Sequence, residues 1–183
     1  MTVAAQQARR AADVVGRLRR AVQRPDPAAQ LQPVVLQDAV RNALYLLPPE
    51  LQRRQVTGQI DATAEPVTVL AEPVALEQII HNLLMNALQA LEQIPAAERK
   101  LLITVAGDAL HGTLTVADTG PGIAPDVLPR LFEPFFTTRT GGLGLGLNLC
   151  ETLAQRMGGH LAAGANPPRG AAIRLTLQRP AGQ

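Results

Sequence analysis

The sequence predicts an α+β fold: a two-layer α/β sandwich in which a mixed β-sheet of about five strands packs on three helices, preceded by one N-terminal helix. Three observations predict it. Helical periodicity returns in three substantial stretches after residue 33, short apolar or alternating runs lie between and behind them, and Gly and Pro mark the joins. With 183 residues and 46% hydrophobic content, the chain is sized for one domain with a sizeable core plus an appended element.

Residues 3–23 read as a helix with Val14, Val15, Leu18 and Val22 on one face, ended by Pro25-Asp26-Pro27. The expected organisation is an amphipathic helix in 1–25, a linker in 26–33 and a domain over 34–180. Such a helix cannot bury its stripe alone, so it asks for another helix, a second subunit or the surface of its own domain. From Val34 a short strand leads into a helix through Val40 and Leu44, stopped at Pro48-Pro49. Strands follow near Val56–Ile60 and Val67–Ala71. Pro73 opens a long helix whose Leu76, Ile79, Ile80, Leu83, Leu84, Ala87, Leu88 and Leu91 form a broad apolar face. Leu101–Ala106 and Thr113–Ala117 read as paired strands around a turn, and Gly142–Met157 as a helix ended by Gly158-Gly159. Two strands, His160–Ala165 and Ala171–Gln178, close the chain. The loop Thr119–Gly141 is long for a small domain, the signature of a lid or binding loop.

Composition excludes several functions. No apolar run approaches the roughly 20 residues that cross a bilayer, and Met1–Arg24 has no apolar signal-peptide core, so a cytoplasmic setting is expected, with or without a membrane-anchored parent. The net charge is +2 and the pI about 9.3, with Arg9, Arg10, Arg17, Arg19, Arg20 and Arg24 crowded into the first segment. There is no Trp, one Tyr and three Phe, so base-stacking platforms are missing and nucleic acid is not an expected partner. Cys150, alone in an apolar helical stretch, reads as a buried small hydrophobe. His81, His111 and His160 read as locally packed or solvated residues.

Chemistry concentrates in three segments. Asn82 and Asn86 leave one face of the long helix a turn apart, and an amide oxygen is a ligand that magnesium accepts alongside phosphate and water. Asp118 ends a strand ahead of Gly120 and Gly122: an ionised carboxylate only accepts hydrogen bonds, which suits the exocyclic amine of adenine and rejects the carbonyl of guanine. A protease reading of Asp-Thr-Gly needs a second such motif, which the chain lacks. Gly142, Gly144 and Gly146 lead into a helix, where backbone N–H groups and the helix dipole favour phosphate. This is neither a Walker A loop nor a dinucleotide fingerprint. Phe132, Phe135 and Phe136 sit together in the long loop, aromatics poised for burial in one of its states.

In this order, Leu83-Leu84-Met85-Asn86-Ala87, Asp118-Thr119-Gly120-Pro121-Gly122, Phe132-Glu133-Pro134-Phe135-Phe136-Thr137-Thr138 and Gly142-Leu143-Gly144-Leu145-Gly146-Leu147 resemble the N, G1, F and G2 boxes of sensor histidine kinases, nearest to the nitrogen-regulation and oxygen-sensing groups. The resemblance runs from about Leu31 to Gln178 and implies the Bergerat fold shared with DNA gyrase, MutL and Hsp-type ATPases. It implies ATP and Mg2+ as cofactors, Asn86 as the magnesium ligand, Asn82 at the phosphates and Asp118 on adenine. Gly120 and Gly122 then shape the adenine pocket, and Gly142, Gly144 and Gly146 cradle phosphates. Gln89, Ile123, Thr137, Thr138, Leu143, Leu145 and Leu147 complete the implied nucleotide-binding set. By the same resemblance 123–141 would be the lid, with Arg139 in it a candidate to support the transferred charge.

Hydrolysing relatives carry glutamate where this chain has Asn82, so the resemblance favours phosphotransfer over hydrolysis and ranks an anti-sigma-type serine kinase lower. Departures are Arg139 for a common Lys, Gln89 where some relatives are basic, and Ala171 where the wider fold often has Thr. The first helix resembles the second helix of the dimerisation and phosphoacceptor hairpin, which implies a homodimer contact. No histidine precedes His81, so the acceptor is expected on a segment missing from this chain. The implied partners are that phosphoacceptor helix and a response regulator. The rival reading is a nucleotide-gated interaction module without phosphotransfer.

Overall fold

Alternation in the sequence sets the sheet and a seven-residue apolar rhythm sets the helix that covers it. The computed structural model describes residues 30–45, 47–137 and 144–181. The expected helix in 1–25, most of the linker, and Thr138, Arg139, Gly142 and Leu143 lie outside the described residues.

Strand β1 (Gln32–Val35) pairs antiparallel with β3 (Thr68–Ala71), Gln32 facing Ala71 and Val35 facing Thr68. Helix α1 (Leu36–Tyr45) follows β1 directly. The prolines expected to stop α1 also begin a further short helix, α2 (Pro48–Arg53). Proline costs no hydrogen bond in a first helical turn, and its fixed φ is already helical. The main sheet has the order β2-β4-β5-β7-β6, formed by β2 (Thr57–Ala62), β4 (Lys100–Gly107), β5 (His111–Asp118), β7 (Ala171–Gln178) and β6 (His160–Ala165). Only the β2–β4 pairing is parallel; the others are antiparallel, giving the expected mixed sheet of five strands. The β4–β5 turn is fastened by Asp108, whose Oδ1 accepts the Leu110 and His111 amides at 2.8 Å each, and these bonds hold its carboxyl below the usual range.

Pleating sends Leu101, Ile103 and Val105 of β4, Leu114 and Val116 of β5, and Leu175 and Leu177 of β7 to one buried face. Helix α3 (Pro73–Leu91) lies in the same core with Leu76, Ile79, Ile80, Leu83, Leu84, Leu88 and Leu91, none more than 1% exposed. Helix α4 (Gly146–Arg156) adds Cys150, Leu153 and Ala154. The other sheet face, with Leu102, Thr104, Thr113 and Thr115, is partly exposed, so the domain has two layers. The sequence predicts α4 from Gly142, but it begins at Gly146. Gly144 has φ +65°, a left-handed conformation that a right-handed helix cannot include.

A cluster of cations ties off the C-terminal end of α3. Arg99 donates to the carbonyls of Ile94 at 3.0 Å and Arg54 at 2.6 Å. Arg54, only 9% exposed, sits 3.0 Å from both Glu50 and Glu92 carboxylates. A buried guanidinium without such partners would be strongly destabilising. Among the described residues no helix is long and apolar enough to cross a membrane.

Leu84, fully buried in this core, gives the measurable consequence. Leu84→Ala is expected to lower the unfolding free energy by about 2–5 kcal/mol in urea titration. Val74→Ala on the exposed side of the same helix should stay within about 0.5 kcal/mol.

Candidate functional site

The C-terminal half of α3 carries small and polar residues between its large apolar ones, and this opens a cavity beside the core. The cavity measures about 740 Å3, within the roughly 300–1,000 Å3 usual for small-molecule sites. Leu83, Asn86, Ala87, Gln89 and Ala90 of α3 form one wall. Asp118, Pro121, Gly122 and Ile123 close one end; Leu131, Phe136 and Thr137 of the long loop, with Gly144–Leu147 at the start of α4, form the opposite side. Ala171 and Ile173 of β7 complete it, Ala171 supplying no polar group. Three segments far apart in sequence thus face one space, as their motifs predict.

Asp118 is the one charged residue among the described residues that line the cavity, and it is 6% exposed. The Gly120 amide donates to its Oδ1 at 2.8 Å, making a tight turn directly after β5. Gly120 is buried beneath the cavity against Ala90 rather than lining it. The turn is anchored from β4 as well: Thr119 Oγ1 donates to the Glu98 carbonyl at 2.6 Å, and the Lys100 amide donates to Thr119 Oγ1 at 3.0 Å.

Asn86 and Gln89 face the cavity, while Asn82 does not line it. The Asn82 amide instead donates to Cys150 Sγ at 3.5 Å, at the contact between α3 and α4. Burial pushes the Cys150 thiol up to about 12. His81 and His160 are exposed at the surface, and His111 Nδ1 lies 3.7 Å from Asp108 at the hairpin, so none of the three approaches the cavity.

The aromatic loop folds against the start of α4. Phe136 lies under the Arg130 guanidinium at 4.4 Å, and Arg130 also pairs with Glu133 at 3.1 Å. Asn148 Nδ2 donates to the Phe132 carbonyl at 2.9 Å. A Cβ on Gly144 would stand 2.5 Å from the backbone of Phe135 and Phe136, so this glycine is what lets loop and helix meet. Phe135 itself is 72% exposed.

Several cavity residues escaped the sequence reading. Ala90 and Gln93 continue the helical spacing of Leu83, Asn86 and Ala87, a signal that was available. Val127 and Leu131 come from a loop with no periodicity, and nothing local marks them.

Residues 71–181 match the family of histidine kinase-, DNA gyrase B- and HSP90-like ATPases. The chain belongs to this family. It carries the ATP-binding catalytic domain in the form found in sensor histidine kinases. The C4-dicarboxylate transport sensor protein DctB of Pseudomonas aeruginosa is 40% identical over 146 residues, 79% of this chain and 24% of DctB. Full-length ShkA, solved in complex with AMPPNP, superposes with a TM-score of 0.75 at 28% identity, over 93% of this chain and 35% of ShkA. Histidine kinase ThkA, solved in complex with the response regulator TrrA, shares the fold at a TM-score of 0.79 and 19% identity, over 94% of this chain and 49% of ThkA. The chain therefore spans a quarter to a half of the length of these proteins.

The raised Cys150 thiol is directly testable. An ordinary thiol ionises near about 8.5, so at pH 8 the unfolded chain should react readily with iodoacetamide. The native chain, protonated and buried, should react at least about a hundredfold more slowly, measured by mass spectrometry of the alkylated product.

Proposed function

We propose that this chain binds magnesium-ATP in the 740 Å3 cavity and positions the γ-phosphate for in-line transfer to a histidine imidazole on another segment. That histidine would pass the phosphoryl group to an aspartate of a response regulator. The observation that carries the reading is the convergence on one cavity of a buried carboxylate, a helix-borne asparagine and a glycine-rich helix start.

Each part has a chemical task. Asp118 accepts a hydrogen bond from the exocyclic amine of adenine, and Ile123 and Ile173 offer apolar contact to the ring. The first turn of α4 directs backbone N–H groups and the positive end of its dipole toward phosphate oxygens, with Leu145 at the N-cap offering no side-chain oxygen in their place. Gln89 and Thr137 add polar contacts along the walls. Thr138, Gly142 and Leu143 belong to the same proposed nucleotide set, and Arg139 is proposed to support the transferred charge.

The residues fit magnesium carried by the nucleotide. Asn86 presents one amide oxygen, and among the described residues no group of three or more His, Cys, Asp or Glu could hold a metal unaided. Magnesium takes few protein ligands and keeps water and phosphate oxygens, and when bound it neutralises phosphate charge. The protein's contribution is then mainly orientation and exclusion of water by the loop over the cavity.

The proposed organisation keeps 34–180 as the kinase domain, 123–141 as its lid and 26–33 as a linker, with 1–25 joining a dimerisation hairpin. The response regulator seated on ThkA supports the same kind of partner here.

Two measurements decide the matter. In calorimetric titration, Asp118→Asn is expected to weaken AMPPNP binding roughly tenfold to a hundredfold, since a hydrogen bond to a charged group is worth about 1.5–3 kcal/mol. Asn86→Ala should remove the dependence on magnesium. For transfer, a dimerisation and phosphoacceptor hairpin of a sensor histidine kinase is supplied as a separate polypeptide with ATP. Acid-labile phosphate on the hairpin supports the kinase; docking without transfer supports a nucleotide-gated interaction module instead.

A further inference from the structure

The loop between β6 and β7 contains no residue of the proposed nucleotide set, yet it bonds to the backbone of Asp118. Asn166 Nδ2 donates to the Asp118 carbonyl at 2.9 Å. Arg169 Nε donates to the Thr119 carbonyl at 3.3 Å, and its Nη2 pairs with Glu98 at 2.6 Å. Gly170 has φ +126°, and a Cβ there would collide with the Asp118 carbonyl oxygen. The loop is braced across its own ends, the Asn166 amide donating to the Gly170 carbonyl at 3.1 Å.

These bonds grip the two peptide units that follow the side chain expected to read the base. The Asp118 carboxylate is already turned by the Gly120 amide, and the Thr119 side chain is fixed to β4. The Asp118–Thr119 peptide at the end of β5 is held at its N–H, which donates to the Lys100 carbonyl at 3.2 Å, and at its carbonyl by the β6–β7 loop. Its carbonyl oxygen is where Asn166 acts. Because an exocyclic amine is read by one directional bond, a small rotation here moves the acceptor off line.

We propose that Asn166 is a positioning residue for base recognition: by holding the Asp118 carbonyl it fixes the direction in which the carboxylate presents itself to the purine amine. This rests on the adenine reading of Asp118. Arg169 and Glu98 act as an outer brace, exposed and weaker.

The test uses the full chain with two ligands, AMPPNP and the corresponding imidotriphosphate of purine riboside, which lacks the exocyclic amine. Wild type should bind AMPPNP more tightly; equal binding of the two would remove the adenine reading itself and leave Asn166 with nothing to position. Given that discrimination, Asn166→Ala should weaken AMPPNP roughly fivefold, the value of one neutral hydrogen bond, while purine riboside nucleotide changes little. Asn166→Asp keeps the shape and sets an acceptor against the Asp118 carbonyl, so it should weaken AMPPNP more than alanine does. An equal loss for both ligands, or equal effects of alanine and aspartate, would assign Asn166 a purely structural role and overturn the proposal. Unchanged AMPPNP affinity in both variants would overturn it too, and thermal unfolding of each variant establishes that it is folded.

Discussion

The packing of α3 on the inner face of the sheet is the constraint from which the site follows. Leu76, Ile79, Ile80, Leu83, Leu84, Leu88 and Leu91 fix the rotation of this helix about its axis, because no other rotation buries them all against β4, β5 and β7. Once that rotation is set, Asn86 and Gln89 have no choice of direction: they point to the side where β5 ends and Asp118 stands. The core thus positions the cavity and, through Leu83, Ala87 and Val116, also lines part of it. Sheet register contributes the other coordinate, since Asp118 pairs with Leu101 and cannot slip without turning the whole β5 strand over.

Most of the architecture was legible because it obeys periods. The alternating β4 and β5 and the apolar stripe of α3 announce which face is buried, and the structure follows them to within a residue or two. The glycine and asparagine motifs also named the cavity's corners, Asn86, Asp118, Gly122, Gly144 and Gly146 all lining one space. What was not legible is interaction across long separations. Nothing near Asn82 says that Cys150 of α4 will meet its amide, and nothing in Asn166-Pro167-Pro168-Arg169-Gly170 says that it will grip a turn 48 residues away. Prolines misled in the opposite sense, reading as an end of helix where Pro48 serves equally as a beginning.

The cavity is asymmetric in how its walls are held. The Asp118 end is fixed by the Gly120 amide within its own turn, by the Thr119 hydroxyl bonded to the Glu98 carbonyl and the Lys100 amide, and by Asn166 of the β6–β7 loop. Among the described residues, the opposite wall carries a short 3-10 turn at Leu128–Arg130, an arginine over a phenylalanine, one asparagine bond and a glycine contact. Under the proposed reading, the well-braced end is the one at which a single hydrogen bond to the base would have to be aimed.

The outer strands of the main sheet carry a different consequence. Both β2 and β6 are six residues long, each holds a glycine, Gly58 and Gly164, and β2 adds the charge of Asp61. Short, glycine-broken, charged borders are poor templates for a neighbouring molecule's backbone. Among the described residues, a sheet with one partly exposed face thus has borders that disfavour edge-to-edge pairing with a neighbouring copy.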